Sequence, residues 1–361
     1  MHNIFINQSF YPKLYDHIIN ILHTKDSMAK ILLVTDAWEP QVNGVVTTLT
    51  NITKQAKIFG DEITVFHPQL LKFNFPYPQY PKPSWNFLLP NQCMKIIQKG
   101  FDFIHIATPE AYIGHMFMRV CVNNNIVFST GCHTKFAEYL HARYHIPIHI
   151  GWKWMLYANK HSKCIITPTP SMKQELINRQ FTQKIEIGAR GIDREIFYPG
   201  YTTEVNVGRP VLINVGRVSE EKGLDDFCQI SYGPRATKVI IGDGPYRQAL
   251  QSRYPNVLFT GMLQGKELAD WYRLADCFVF PSINDTFGVV MLEAIACGTP
   301  IAAYPVTGPI DIIHDGITGA CDWKLENAIK KCLDIDRKVV YNNSMHYSWE
   351  ESYKIFRKTL V

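Results

Sequence analysis

The chain alternates short, continuously apolar runs with longer segments of helical pattern, and this alternation constrains the fold more than any other feature. In the first half, five β-rich runs lie at 30–35, 62–66, 102–107, 126–130 and 163–167. They are continuous rather than alternating in polarity, as expected of strands buried on both faces of a parallel sheet. Helix-length segments between them, at 44–60, 110–124 and 150–162, supply the crossovers that parallel strands need. An α/β fold with a doubly wound parallel sheet is predicted.

The same alternation of strand and helix patterns begins again after a polar stretch with glycine and proline at 199–210. Five further runs follow, at 211–215, 238–241, 256–259, 276–280 and 300–303. Helical segments accompany them at about 244–252, 265–275 and 287–297. We therefore predict two doubly wound domains, 28–199 and 205–340, facing a central cleft. An N-terminal extension (1–27) precedes them, and an amphipathic helix within 341–361 is expected to pack across both.

Length and composition exclude several classes of protein. With 361 residues, 46% hydrophobic and 19% charged, the chain is large enough for two cores and is not of a disordered or fibrous class. No apolar run approaches the roughly 18 to 20 residues needed to span a bilayer. The nine cysteines form no C-x-x-C pair, and no signal peptide is evident at the start, so we expect reduced thiols in a cytoplasmic protein.

The net charge of +5 is unevenly distributed. Residues 1–199 carry 20 Lys and Arg against 13 Asp and Glu, whereas residues 200–361 carry 17 against 19. The basic half is expected to face a phosphate-bearing acceptor or the inner face of an anionic membrane. The aromatic stretch 73–85 is expected to contact a polar lipid head group. The alternatives are ordinary solvated lysines and a proline-stiffened loop packed on the domain. Since the basic residues form no dense run, nucleic-acid binding is not predicted.

Three local patterns are weak. The glycine segment 240–247 follows a strand but lacks the third glycine of a dinucleotide site, and 261–266 lacks the hydroxyl that a phosphate loop needs. Neither NAD binding nor P-loop chemistry is predicted. His141, His145 and His149 recur every four residues, but Pro147 interrupts the helix that would align them. We expect loop or surface histidines there and no metal site.

Two segments of the second half predict an anion site. In 215–223, Arg217 and Lys222 lie in the loop that leaves a strand, where two cations can neutralise a diphosphate without a metal, although such loops are often merely solvated. In 281–300, a helix is expected to begin near Phe287 and to present free N–H groups to an anion. Gly288 would let a ligand approach its backbone closely.

Two acidic residues of the segment 281–300 also draw attention. Asp285 or Thr286 would cap the helix. Asp285 and Glu293 are eight residues apart, about 12 Å along a helix axis, so that one carboxylate could hold a sugar and the other a ribose. The plainer interpretation is a capping aspartate and an incidental buried glutamate. It suits Asp285 better than Glu293, which lies among apolar residues and needs a partner if buried.

With these residues in view, the chain from about Met28 onward resembles the retaining glycosyltransferases of family 4, which have two Rossmann-like domains in the GT-B arrangement. The resemblance rests on stretches that occur in the expected order, at 35–49, 132–140, 167–176, 189–200, 216–223 and 284–294. The most similar members known to us are bacterial α-mannosyltransferases and enzymes resembling sulfoquinovosyltransferases, which act on lipid acceptors.

The resemblance implies specific roles at the donor site. Arg217 and Lys222 would bind the donor diphosphate, and Glu293 would bind the ribose hydroxyls. Asp285 occupies the first position of the family's E-x7-E pattern, where glutamate is usual, and would contact hydroxyls of the transferred sugar. The shorter side chain leaves the identity of that sugar open.

The remaining implied residues lie around the donor. His133 would stand beside the sugar at the catalytic centre, with Arg217, Lys222 and Asp285. Gly44 would let the first domain close on the phosphates, and the segments around Gly242 and Leu263 would flank the base. The distal phosphate and sugar would be held by main-chain groups of Phe287, Gly288 and Val289.

The resemblance predicts retaining transfer of a hexose, mannose favoured, from a nucleotide-diphosphate sugar to a hydroxyl of a glycolipid or saccharide. The donor is expected to be GDP-mannose or a UDP-sugar, and neither a cofactor nor a metal is expected. Two alternatives remain open at this point. One is a nucleotide-sugar epimerase on the same fold, and the other is a non-catalytic protein that binds sugar nucleotides.

Overall fold

The computed structural model describes residues 28–71, 75–76, 84–85, 88–188, 190–200 and 207–361. The extension 1–27 lies outside the described residues. Of the aromatic stretch 73–85, only the backbone of two short paired segments, Phe75–Pro76 and Ser84–Trp85, is described. The prediction that this stretch contacts lipid therefore remains a prediction.

The first domain is built on six parallel strands in the order β2-β1-β5-β6-β7-β8. Its strands, with the antiparallel pair β3 and β4, are β1 Lys30–Val34, β2 Glu62–Phe66, β3 Phe75–Pro76, β4 Ser84–Trp85, β5 Phe103–Ile106, β6 Ser129–Gly131, β7 Cys164–Thr167 and β8 Lys184–Ile187. Its helices are α1 Gly44–Phe59, α2 Pro90–Ile97, α3 Tyr112–Asn123, α4 Phe136–Tyr144, α5 Ile148–Asn159 and α6 Pro170–Asn178. The residues of β1 from Ile31 to Val34 are fully buried, which explains why the run is apolar throughout.

The second domain repeats this design with the strand order β11-β10-β9-β12-β13-β14. Its strands are β9 Val211–Val215, β10 Thr237–Ile241, β11 Leu258–Gly261, β12 Cys277–Phe280, β13 Ile301–Ala303 and β14 Gly319–Cys321. The helices that follow are α7 Leu224–Gln229, α8 Arg247–Arg253, α9 Gly265–Leu274, α10 Val289–Ala296, α11 Pro309–Ile312, α12 Leu325–Cys332, α13 Arg337–Asn342 and α14 Trp349–Thr359. The predicted α/β class with two doubly wound parallel sheets is confirmed.

Sequence reasoning missed the last strand of each sheet. β8 lies at an edge, and only Ile185 of its four residues is buried, so it lacks the continuous apolar run used to recognise the others. β14 has three residues, Gly319, Ala320 and Cys321, with little β propensity. Both strands are fixed by pairing with a neighbour rather than by their own sequence.

The last two helices pack on different domains. α13 contacts α10 of the second domain, whereas α14 contacts α1 and β7 of the first. Tyr353 and Phe356 of α14 join a buried cluster with Ile31 and Ile166. The final helix was predicted to pack across both domains by itself. In the structure α13 packs on the second domain and α14 on the first, so the two helices together connect the domains.

All nine cysteines are free thiols, and all but Cys321 are buried. Within the residues that the structure describes, no helix combines the length and apolar character that a membrane span requires.

The packing of α14 gives a stability prediction. Phe356 is 5% exposed in the cluster that α14 shares with the first sheet. Replacing it with alanine should lower the free energy of unfolding of the first domain by about 3 to 5 kcal/mol, since a buried phenylalanine leaves a cavity. Chemical denaturation measures this loss, with the exposed Lys358→Ala as control. Equal stability of the two variants would show that α14 adds nothing to the first domain.

Candidate active site

The predicted donor residues converge at one edge of the second sheet. Arg217 follows β9, Gly242 follows β10, and Asp285 follows β12. Because these strands are parallel neighbours, their carboxyl ends open onto the same cleft, which is where open α/β sheets bind ligands.

Both predicted phosphate-binding cations are paired with carboxylates. Lys222 Nζ lies 2.7 Å from Oδ1 and 2.9 Å from Oδ2 of Asp285. Arg217 Nη2 lies 2.5 Å from Glu221 Oε1, which also accepts a hydrogen bond from Ser219. Burial acts to raise the pKa of Asp285, but Lys222, the Ser282 hydroxyl and Arg217 together outweigh it, so that this pKa lies below its ordinary value. The site thus holds two cations, each with a carboxylate partner.

The start of α10 differs from the prediction. The helix begins at Val289, and its N-cap is Gly288 at φ 80°, with no capping side chain among the described residues. The expectation that Asp285 or Thr286 caps a helix from Phe287 is wrong, because Asp285 binds Lys222 and Thr286 turns toward the other domain. The first N–H groups of α10 therefore meet no side-chain acceptor, which favours an anion there.

Glu293 lies within α10 and is half-buried beside Tyr272. The Tyr272 hydroxyl lies 3.0 Å from Glu293 Oε2 and 3.1 Å from the carbonyl of Val290. Burial raises the pKa of Glu293 to about 7. Since Asp285 stands in the loop before the helix, the separation of about 12 Å expected for two residues on one helix does not apply.

The segments predicted to flank the base are tightly packed. Gly242 has φ +146°, and a Cβ there would meet the carbonyl oxygen of Gly216 at 1.8 Å, so glycine is required. Leu263 packs against the hydrophobic core of the second domain.

His133 follows β6 and is held by Arg190. Arg190 Nη2 lies 3.1 Å from His133 Nδ1, and because a guanidinium can only donate, the imidazole proton is on Nε2. Nε2 is buried and has no hydrogen-bond partner among the described residues. Burial, followed by the charge of Arg190 and then by His105, lowers the pKa of His133 well below its ordinary value. The ring is thus neutral and carries an unused N–H.

Arg190 was not recognised in the sequence. It is buried, donates to the carbonyl of Gly188, and lies 5.8 Å from the ring centroid of Phe287. It therefore joins the histidine of the first domain to the donor loop of the second. The residue belongs to the stretch 189–200 that carries the family resemblance, and this was the one signal available.

The two domains touch at the loop before α10. Thr286 Oγ1 donates to the carbonyl of His133 at 2.6 Å, and Thr169 Oγ1 donates to the carbonyl of Thr286 at 3.2 Å. A Cβ on Gly44 at the start of α1 would lie 3.6 Å from Val289, so the two helix starts adjoin. The predicted residues Gly44 and His133 of the first domain thus lie next to the start of α10 in the second.

A second acidic group on the first-domain wall was missed. Asp36 follows β1 and accepts hydrogen bonds from the backbone N–H groups of Ile113 and Gly114, both at 3.0 Å. Glu110 follows β5 and accepts a long hydrogen bond from Thr134 Oγ1, at 3.5 Å, and another from its own backbone N–H. Burial raises the pKa of Asp36 to about 6 and, with the added charge of Asp36, that of Glu110 to about 8.

The histidines at 141, 145 and 149 are all exposed: His141 lies in α4, His145 is the residue that ends it, and His149 lies in α5, beyond Pro147. The described ranges hold no group of three or more His, Cys, Asp or Glu arranged to bind a metal ion.

Comparison with known proteins identifies the family. The model of Glycosyltransferase Family 4 matches residues 42–196, and that of Glycosyl transferases group 1 matches residues 209–333. A GDP-mannose-dependent alpha-mannosyltransferase of Mycobacterium tuberculosis is 30% identical over 318 residues, covering 80% of this chain and 82% of its own. The chain belongs to the family 4 glycosyltransferases.

Two further relatives extend the comparison. An alpha-monoglucosyldiacylglycerol synthase of Acholeplasma laidlawii is 25% identical, covering 91% of this chain and 94% of its own. Anabaena HepE in complex with UDP and glucose is 16% identical with a TM-score of 0.65, covering 92% of this chain and 99% of its own. The latter similarity confirms the GT-B arrangement of this transferase.

The half-buried Glu293 predicts a pH effect on stability. Its pKa is about 7 in the folded protein and 4.5 in the unfolded chain, so between these pH values the folded state binds a proton that the unfolded chain does not. Protonated Glu293 therefore adds about 3 kcal/mol to the free energy of unfolding. This contribution is fully present below pH 4.5 and is lost as the pH rises through 7. Glu293→Gln should therefore gain stability over wild type between pH 5 and pH 8.

Denaturant unfolding at the two pH values measures this gain, and the exposed Glu326→Gln serves as control. A difference between wild type and Glu293→Gln that is the same at both pH values would contradict the prediction.

Proposed function

We propose that this transferase moves a hexose, mannose favoured, from a nucleotide-diphosphate sugar to a hydroxyl of a glycolipid or saccharide, with retention and without a metal cofactor. The observation that carries the proposal is the meeting of Arg217, Lys222 and the uncapped start of α10 at one end of the second sheet. The mannosyltransferase named above supports GDP-mannose as donor, and the HepE complex supports a UDP-sugar as the other candidate.

The paired cations suggest how the donor binds. The diphosphate would take Arg217 from Glu221 and Lys222 from Asp285, exchanging each carboxylate for a phosphate. Asp285 would then turn to hydroxyls of the sugar, and the half-buried Glu293 would gain ribose hydroxyls as partners. Fixed cations and helix N–H groups are worth most where charge builds on the departing diphosphate.

Retention would follow from attack on the face that the diphosphate leaves. The acceptor oxygen forms a bond to the anomeric carbon as the bond to the phosphate oxygen breaks, and that oxygen takes the hydroxyl proton. This route needs no nucleophile from the protein. The neutral His133, with its proton on Nε2, would donate a hydrogen bond to the sugar rather than act as an acid.

Donor binding tests the proposal directly. GDP-mannose, GDP, UDP-glucose, UDP and NAD are compared by thermal shift, since a ligand that binds only the folded state raises its melting temperature. One nucleotide diphosphate should stabilise wild type and the exposed control Glu267→Ala but not Glu293→Ala. Stabilisation by NAD alone would overturn the proposal.

The reaction class is tested with the donor so identified. Proton NMR of the product should show the anomeric configuration of the donor, and turnover should persist in EDTA. Loss of turnover in EDTA that magnesium restores would contradict metal independence. An isomerised donor formed without acceptor would indicate the epimerase instead.

A surface of the first domain supports a lipid acceptor at an anionic membrane on the cytoplasmic side. Residues 139–174 contain no aspartate or glutamate. Ile150, Trp154 and Tyr157 of α5 are exposed by 50%, 36% and 50%. The basic residues of the segment are Arg143, Lys153, Lys160, Lys163 and Lys173. Apolar side chains flanked by cations match the interface of an anionic bilayer. The glycolipid synthase among the relatives accords with such an acceptor.

The membrane contact predicts a charge-dependent association. Wild type should float with vesicles containing anionic lipid and much less with neutral ones. The pair Lys153→Glu and Lys160→Glu should reduce the membrane partition coefficient by about thirtyfold or more, given about 1 kcal/mol per basic residue near the surface. The pair Lys330→Glu and Lys338→Glu on the second domain changes the net charge equally and serves as control. Equal loss in both pairs, or no flotation of wild type, would exclude this surface.

A further inference from the structure

A groove of about 800 Å³ lies between the two domains, next to the donor loop. Its first-domain wall is formed by helix α6 and Lys135, and its second-domain wall by the loops that follow β12 and β13. Ile283, in the first of these loops, stands two residues before Asp285, and Lys135 stands two residues after His133. The groove therefore opens beside the sugar end of the proposed donor site. Its volume lies in the range of about 300 to 1,000 Å³ that is usual for small-molecule sites.

The first-domain wall is a polar face of α6. Its groove-lining residues recur three or four positions apart, as residues on one helix face do: Ser171, Gln174, Glu175 and Asn178. The Gln174 amide donates to Asn178 Oδ1 at 2.9 Å, and both side chains are exposed. This pairing leaves the Gln174 carbonyl oxygen as an acceptor and the Asn178 amino group as a donor. Hydroxyl groups, which both donate and accept, match such a pair.

The charges of this wall balance one another. Glu175 lies 3.6 Å from Lys135 and 3.1 Å from Arg179. The Arg179 guanidinium also lies 4.0 Å from Glu138 and stacks 3.9 Å from the ring centroid of Trp152. Two cations with two carboxylates give no net charge, so this wall favours an uncharged ligand that forms hydrogen bonds.

The second-domain wall is largely apolar. Ile283 and Ile310 are each 50% exposed, and Pro305 and Val306 line the groove with them. A sugar ring carries hydroxyls around its rim and C–H groups on its faces. A ring between a polar and an apolar wall therefore places both kinds of group against a matching surface.

An exposed aromatic pair continues the apolar wall. The ring of Tyr304, which precedes Pro305, stacks on Trp323 with centroids 5.8 Å apart and planes at 29°. The Tyr304 hydroxyl donates to Asp226 at 2.9 Å, whereas Trp323 is 67% exposed. Since β12, β13 and β14 are neighbours in this order, Asp285, Tyr304 and Trp323 follow one another along the carboxyl edge of the sheet. The row leads outward from the donor loop and ends on an apolar ring that faces water.

A direct contact between the domains joins the two walls. Asp311, which follows Ile310, accepts hydrogen bonds from the Ser171 backbone N–H at 3.1 Å and from the Ser171 hydroxyl. It thereby caps the start of α6 from the opposite domain. A ligand in the groove thus contacts both domains while they are held together.

We propose that this groove binds the sugar residues of an oligosaccharide acceptor that lie beyond the residue receiving the hexose. Gln174 and Asn178 hydrogen-bond to their hydroxyls, while Ile310 and Trp323 pack on their C–H faces. This inference rests on the proposed function and adds the acceptor class. The acceptor is an uncharged chain of at least two sugars, either free or carried by a lipid.

The test applies the protein, with the nucleotide diphosphate found by thermal shift, to an array of immobilised monosaccharides and oligosaccharides. Wild type should retain oligosaccharides more strongly than monosaccharides. The pair Gln174→Ala and Asn178→Ala, and separately Trp323→Ala, should each weaken that binding about tenfold, while the Kd of the nucleotide diphosphate stays within about twofold. The controls are Ile177→Ala on α6 and Ile317→Ala on the second domain, both exposed and outside the groove lining.

Kinetics with the retained oligosaccharide distinguish binding from a structural effect. KM for this acceptor should rise about tenfold in the variants while kcat stays within about twofold, since these residues contact no reacting atom. The oligosaccharide is assayed free and on a lipid in anionic vesicles. Turnover of either form supports the inference, and the form with the higher kcat/KM identifies the source of the acceptor.

The outcomes separate this inference from the proposed function. Wild type that binds a nucleotide diphosphate but retains no oligosaccharide would overturn the inference alone. So would variants that bind the oligosaccharide as wild type does, or a kcat/KM that is equal for acceptors with one sugar and with several. Failure of wild type to bind any sugar nucleotide would overturn the proposed function and this inference with it.

Discussion

The ion pair between Lys222 and Asp285 holds the loop on which the rest of the site depends. Both oxygens of Asp285 contact the ammonium, so the loop between β12 and α10 is fixed to the loop after β9. The next residue, Thr286, reaches the carbonyl of His133 in the other domain. One short turn therefore sets the position of the helix start, the sugar end and the contact between domains.

Each charge that would meet a substrate already has a role within the fold. Lys222 and Arg217 have carboxylate partners, and His133 is oriented by Arg190. Half-buried cations without partners would be costly, so internal pairing keeps the site stable until a stronger anion arrives. The exchange conserves the number of ion pairs.

The sequence predicted what periodicity and local chemistry determine. Ten strands, the loop cations and the glutamate of α10 all follow from short stretches of residues, although the edge strands β2 and β11 are partly exposed rather than buried as predicted. The edge strands β8 and β14 could not be recognised, because pairing with β7 and β13 defines them, whereas the opposite edge strands β2 and β11 have β-rich runs of their own. Arg190, Thr286 and Glu110 escaped for a related reason. Arg190 and Thr286 both contact His133, and Glu110 contacts Thr134. These partners are separated by 57, 153 and 24 positions along the chain, so no local pattern of residues shows the contacts. The start of α10 was misplaced because two good capping residues are used elsewhere.

The return of the chain to the first domain through α14 affects how the domains can move. The polypeptide crosses between them twice, once between β8 and β9 and again between α13 and α14. A body tethered at two points turns about the line that joins those points and does not swing freely. Opening for substrate should therefore follow a single rotation axis and break the Thr286–His133 bond between the domains. The cleft between the domains then opens, while the contacts next to the two chain crossings stay as they are.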